Sequence, residues 1–511
     1  MPPADHRGIR ALARASGPTM VSGRRTSPAP VLAPSWSLVV LGLSWALGSG
    51  CTTPGLTVEG GETEPRDGEV APAPAPASSC AAAPIPETRA PDVRPEYDTA
   101  DFWLARFDPE AIDGELLDPA VRDALARQVA SLPGGWRDPL DPGVAAAELV
   151  DAELGERMTW LRERVDSGKY IEGEAGVLDE ARGHIRAARS RADDPHAPAG
   201  TLHLVTRETT LWCIPSARGL FTEPVDPDFD RNKCSSLHMG ELVRAIASTP
   251  EDEAGTRWTY VEAGYSVGWV QTVAGANEGA PLGPAMELAE ARAWLDAPSA
   301  HVFADHDSLR AGARFPLDPE AKADPDKGLA VRLPAAGGEG FVRARLPAGL
   351  HAGEAPLPFS RRNVLTQAFS QLDQPYGWGG RGGHRDCSRY LKDLFAQFGV
   401  LLPRSSGAQA KLGRRSEDVS ALGEQAKRAA IRAANEEGIV LLYMPGHIML
   451  YLGEDGGHDY AISALSEYLE PCTGGDDSIH KLDRVGVTTL ELGRGSERRA
   501  FIERISRIAV F

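Results

Sequence analysis

Metal-ligand spacing is missing from this sequence: its 511 residues hold no Cys-x-x-Cys and no His-x-x-x-His pair. That argues against zinc ribbons and thioredoxin-like motifs, and no metal or other cofactor is expected. Basic charge is also short. The 54 Lys and Arg stand against 72 Asp and Glu, a formal net charge of −18, which as a whole repels nucleic acid and anionic lipid. No run of like charge stands out, so the acidity reads as a solvated surface. The apolar stretch from Trp36 to Leu47 is too short to span a bilayer comfortably. The rest is ordinary for a globular chain, 42% hydrophobic and 25% charged, with length for roughly two to four domains.

The six cysteines are Cys51, Cys80, Cys213, Cys234, Cys387 and Cys472. Cys213 and Cys234 could be bridged, which sequence leaves open. Cys472 reads as a small, buried, inert thiol, and Cys80 has no evident role.

Arg24 and Arg25 precede the apolar stretch, and Gly48, Ser49, Gly50 and Cys51 follow it. A basic segment, a short apolar run and small residues are the parts of a secretory signal, for which Met20 offers a second start. A cysteine directly after the small residues resembles a lipobox, with Cys51 as the lipidated residue. Gly48 holds the place where that pattern has leucine. The resemblance implies an exported lipoprotein on the periplasmic side of the cell envelope. Thr52 resembles outer-membrane sorting, and a cleaved, unanchored form is the alternative. The stretch 52–91, with its "APAPAPASS" run, cannot build a core and reads as an extended tether.

From 92 to 198 the pattern is helical, a supporting N-terminal domain. Asp118 caps a helix with Pro119 in its first turn and Val121, Leu125, Val129 and Leu132 at helical spacing. Further helices are expected over 144–165 and 175–188. From 199 to 275 short β-rich runs such as "RWTYVEA" and "VGWVQT" alternate with turn signals and resemble a bacterial SH3-like barrel. A weaker set over 297–350 resembles a second. Trp258, Tyr260, Tyr265 and Trp269 either fill a small barrel's core or line a ligand groove.

The chemistry is concentrated after residue 355. Ser360 opens a helix with Val364, Leu365, Ala368, Phe369 and Leu372 on one face. Glycines from Gly377 to Gly383 make a loop, and Cys387 begins a helix with Tyr390, Leu391, Leu394, Phe395 and Phe398 as its buried stripe, ended by Gly399. A thiol at a helix N-terminus is shifted toward thiolate, and the N–H groups there can hold an oxyanion. His447 begins a strand after the Pro445–Gly446 turn. Alone, it would more often be a surface or satisfied core histidine. Beside such a cysteine it is the candidate base.

"YGWGGRGGHRDCSRYL", "GVLLPRSSGAQ" and "GHIMLYLG" resemble, in order and spacing, the NlpC/p60 family of papain-like peptidases over about 355–511. The upstream order resembles a branch with a helical N-terminal domain and two SH3-like barrels, giving a multidomain α+β chain. The resemblance implies a cysteine peptidase, a γ-D-glutamyl-L-diamino acid endopeptidase that cuts murein stem peptides next to a residue such as diaminopimelate. Many members need a free N-terminal L-alanine. It implies Cys387 as nucleophile, His447 as base and Tyr376 at the oxyanion. Asp386, with Ser388 beside it, would meet the substrate ammonium, and Arg404 and Ser406 would line the groove. Peptidoglycan fragments are the expected partner, with membrane contact through the anchor, and a monomer is the default.

Two positions depart from the family pattern. The third catalytic residue, often His, falls by spacing on Ser463, which brings no charge to an imidazolium; His458 and Glu467 are near in sequence. Arg389 stands where glycine is common. The departures keep open a catalytically degenerate peptidoglycan-binding lipoprotein, and more remotely an acyl- or amide-transfer enzyme on the same fold.

Overall fold

The computed structural model describes residues 86–511 apart from 133–134, 142–145, 193–199, 274–279, 322–324, 336–339 and 473–475. The signal segment, Cys51, Cys80 and most of the tether lie outside the described residues. No helix among the described residues is long and apolar enough to cross a membrane.

The C-terminal part is built on a six-stranded antiparallel sheet. Its strands run, in spatial order, Arg415–Asp418, Arg507–Val510, Val440–Met444, His447–Asp455, His458–Glu470 and Ser478–Thr489. The Cys387–Ala396 helix packs on the strands that begin at His447 and His458. Tyr390, Leu391, Leu394, Phe395 and Phe398 are all fully buried, as the helical stripe requires, and Gly399 ends the run with φ 71°. Ser360 caps the Arg361–Phe369 helix. A helix over Glu424–Glu437, not foreseen above, buries Lys427, Ile431 and Ala434 at three- and four-residue spacing.

Helices form over Pro119–Ser131, capped by Asp118 at 2.9 Å from the Val121 N–H, over Ala146–Asp166 with a π-turn at Glu153–Arg157, and over Val177–Ala192. They do not share one core. Ala90, Tyr97, Trp103, Leu125 and Val129 are buried in the same core as the C-terminal sheet, whereas Met158, Val177 and Ile185 join Trp258, Tyr260 and Trp269. The leading segment is strapped on: Glu87 N–H donates to Lys481 C=O at 2.8 Å, and Tyr97 Oη donates to Asp455 at 2.5 Å.

Residues 201–273 form a second six-stranded antiparallel sheet, ordered Thr201–Leu204, Leu242–Ser248, Thr256–Ala263, Ser266–Val273, Thr209–Trp212, Lys233–Leu237. Trp258, Tyr260, Tyr265 and Trp269 are at most 4% exposed, so they are core rather than groove. Residues 299–353 add a three-stranded sheet and a separate hairpin, Ala330–Pro334 with Phe341–Arg345. Cys213 and Cys234 are bridged, which ties the Thr209–Trp212 edge to the Lys233–Leu237 strand. Cys472 is disulfide-bonded too, correcting the inert thiol expected of it; cysteines pair by proximity in space, which spacing along the chain does not reveal.

Candidate active site

Tyr376 to Cys387 lies along the Lys233–Leu237 strand, and glycine is what permits the approach. A Cβ on Gly379 would sit 2.4 Å from the Lys233 carbonyl oxygen, and one on Gly380 2.6 Å from Ser236 Cβ. Both have positive φ, 58° and 90°, where a side chain is strained. The loop then turns into the Cys387 helix, whose first four N–H groups lack helical partners. Asp386 caps it, Oδ1 accepting from Arg389 N–H at 3.0 Å.

Cys387 is buried and disulfide-bonded in this structure.

His447 opens its strand and is buried, its Nε2 3.0 Å from Ser463 Oγ. If Nε2 carries the proton and donates it, Nδ1 is left as the basic nitrogen. His458 faces Glu491 at 3.5 Å and Glu467 pairs with Arg498 at 3.0 Å, so of the three residues weighed for the third place the structure brings Ser463 to His447. Burial, with repulsion from Arg504, lowers the His447 pKa to about 3, against the pull of Asp386. At pH 7 the ring is therefore neutral. An unfolded histidine takes a proton near pH 6.5, so between there and about pH 3 the unfolded state binds more protons and stability falls as pH drops. By pH 5 the cost is about 2 kcal/mol. Urea midpoints at pH 7 and pH 5 should show the parent losing that much more than His447→Gln.

Asp386, Ser388, Arg404 and Ser406, expected to face substrate, are all buried, and the first three are bonded to one another. Arg404 grips both carboxylate oxygens of Asp386, Nη1 reaching Oδ1 at 3.0 Å and Nη2 reaching Oδ2. Ser388 Oγ donates to Asp386 at 3.1 Å and accepts from Arg404 at 2.7 Å, while Gly379 N–H donates to Oδ2 at 3.2 Å. A lone buried carboxylate costs several kcal/mol, and pairing removes that cost. Burial opposes the Asp386 charge, but Arg404 and the N–H donors outweigh it and hold its pKa below the ordinary value.

Tyr376 is buried, and burial with the nearby Asp386 charge keeps its phenol protonated, a hydrogen-bond donor. Phe229, from the loop before the Lys233–Leu237 strand, lies 6.1 Å from the Tyr376 ring and 5.6 Å from Trp378, and Arg231 stacks 4.4 Å over Trp378.

Arg389 is a connector that sequence reasoning missed. It pairs with Asp393 at 2.9 Å and donates to the Ser236 carbonyl at 2.8 Å and Tyr265 Oη at 3.0 Å. Arg385 likewise bonds Asp393 at 2.8 Å and both oxygens of Asp305 at 2.7 and 2.8 Å. The arginines stood out only as a departure from glycine or as unremarkable charge; Asp393 is near them in sequence, but Ser236, Tyr265 and Asp305 are far away.

The NlpC/P60 family model matches residues 373–492. Peptidoglycan endopeptidase RipB of Mycobacterium tuberculosis (strain ATCC 25618 / H37Rv) is 31% identical over 148 residues, 25% of this chain and 53% of that protein. Probable endopeptidase p60 of Listeria monocytogenes serovar 1/2a is 43% identical over 63 residues, 12% of this chain and 13% of that protein. The chain thus spans about half or less of the length of these relatives. Among solved structures, an NlpC/P60 endopeptidase from Photobacterium damselae subsp. piscicida shares the fold with TM-score 0.61, covering 84% of this chain and 98% of that one at 14% identity. Residues 373–492, which hold Cys387, His447 and Ser463, are an NlpC/P60 family domain in the C-terminal part of this chain.

Proposed function

We propose that the chain is an exported, lipid-anchored cysteine endopeptidase that hydrolyses the γ-D-glutamyl–diaminopimelate bond of murein stem peptides. The observation that carries the reading is the 3.0 Å contact of His447 Nε2 with Ser463 Oγ, which frees Nδ1 to act on a cysteine at a helix start. As the free thiol, Cys387 gives its proton to His447 and attacks the γ-carbonyl of D-glutamate. The oxyanion is met by N–H groups at the helix start and by the Tyr376 hydroxyl. His447 then protonates the departing diaminopimelate amine, and water, deprotonated by the same ring, cleaves the thioester. Asp386 and Arg404 act by holding the helix start rather than as free charges. The sheets over 201–273 and 299–353 are read as SH3-like units, the first walling one end of the groove through Phe229 and Arg231. Relatives named as peptidoglycan endopeptidases support the substrate class. The Cys213–Cys234 bridge supports export, since disulfides persist in oxidising compartments. Anchoring rests on Cys51 and its flanks, and the chain acts as a monomer.

Ser463 orients the ring without charge, so Ser463→Ala is expected to cost about tenfold in kcat, far less than the ~10⁴ seen when a charged triad partner is neutralised. Steady-state kinetics on L-Ala-γ-D-Glu-diaminopimelate measures it. The uncharged Ser463 beside His447 favours one second reading, a murein-binding lipoprotein that does not cut. Incubating the reduced chain with that peptide separates the two. Release of L-Ala-D-Glu supports the peptidase; binding without release supports the alternative.

A further inference from the structure

The geometry points to Ser235, on a strand well outside the family-matched residues, as a positioning residue for Cys387: its hydroxyl holds the guanidinium that clamps Asp386 at the head of the Cys387 helix. This rests on the peptidase reading above. Ser235 is fully buried. Its Oγ accepts from Arg404 Nε at 3.0 Å and from Arg389 Nη1 at 3.4 Å, and donates to the Ser236 carbonyl at 3.3 Å. With Nε fixed there, both terminal nitrogens of Arg404 point at Asp386. Asp386 in turn receives the N–H of Arg389 from the helix and that of Gly379 from the glycine loop. One hydroxyl is thus the far end of a chain of bonds that fixes the residue preceding the nucleophile.

The strand that carries Ser235 is itself held. Leu211 pairs with Ser235 and Thr210 with Ser236 across the ladder, and the neighbouring Cys234 is bridged to Cys213. Gly379 and Gly380 pack directly on Lys233 and Ser236. The bridge therefore anchors the cradle of the catalytic loop. Arg404 also offsets the Asp386 charge next to Cys387. If its Nε loses Ser235, the guanidinium seeks another acceptor, the carboxylate is less neutralised, and thiolate beside it becomes less favourable.

The test uses the full chain, reduced and freed of reductant, as parent, Ser235→Ala, Ser235→Thr and Ser235→Val. Two readouts are taken at pH 7: the rate of iodoacetamide alkylation at Cys387, resolved by peptide mass spectrometry, and hydrolysis of L-Ala-γ-D-Glu-diaminopimelate. Ser235→Ala is expected to slow both by about tenfold, the size of one lost hydrogen bond to a charged group, with kcat falling and KM held. Ser235→Thr, which keeps the hydroxyl, should recover most of the rate, and Ser235→Val, of the same shape without it, should not. Alkylation of Ser235→Ala at the parent rate overturns the proposal. So do equal rates for Thr and Val, the comparison that decides if the alanine variant fails to fold. Alkylation needs no substrate. If the alkylation pattern appears while the parent cuts nothing, the positioning role stands and the peptidase reading fails.

Discussion

His447→Ala is expected to lower kcat on the γ-D-glutamyl peptide by about 10⁴-fold with KM changed only a few-fold. None of Ser463, His458 and Glu467 can take its place. Ser463 has no basic nitrogen, and His458 and Glu467 face Glu491 and Arg498 instead. In the proposed mechanism the imidazole serves twice, accepting the thiol proton and returning it to the leaving amine, so its loss would remove both transfers. The fold should tolerate the change at a cost of about 1–3 kcal/mol, since Ser463 is left buried without its ring partner. Single-turnover and steady-state rates on the reduced protein, with a melting curve beside them, separate lost chemistry from lost fold.

Arg404→Met should produce the largest stability loss, roughly 3–5 kcal/mol, because the Asp386 carboxylate stays behind uncompensated. Asp386 is fully buried and Arg404 only 6% exposed, so water cannot easily replace the pair. Helix capping, the glycine-loop contact and the Ser388 bond all converge on that carboxylate. Thermal denaturation should show Tm lower by about 5–10 °C. Adding Asp386→Asn, which keeps an oxygen for the Arg389 N–H but carries no charge, should restore most of the loss. If the single variant melts with the parent, the pair is not what holds the helix start.

The Cys387 helix was readable because its stripe repeats at helical spacing and glycine precedes and follows it. The meeting of His447 with Ser463 was readable because strand order and motif spacing fix which residues meet at a sheet rim, and the two stand 16 positions apart on one hairpin. Asp386 and Arg404 were expected as substrate contacts, and their pairing with each other has no sign in the sequence. Two opposite charges 18 residues apart look like two ligand contacts until burial forces them together. Ser235, separated from Arg404 by 169 residues, has no local signature at all, since a serine in a strand is ordinary. The helices before residue 192 were visible one by one. That Leu125 and Val129 belong to the C-terminal core and Val177 and Ile185 to the core of Trp258 is a matter of packing, which periodicity does not address. The Glu424–Glu437 helix carries a sequence signal of its own, Lys427, Ile431 and Ala434 between Gly423 and Gly438.

The most direct test of the account is to treat insoluble, diaminopimelate-containing peptidoglycan and its soluble L-Ala-γ-D-Glu-diaminopimelate fragments with the reduced chain and with Cys387→Ala, and to identify the newly freed groups by mass spectrometry. The account predicts a new free diaminopimelate amine and matching D-glutamyl ends with the parent, and none with Cys387→Ala. Equal release by both proteins would contradict it.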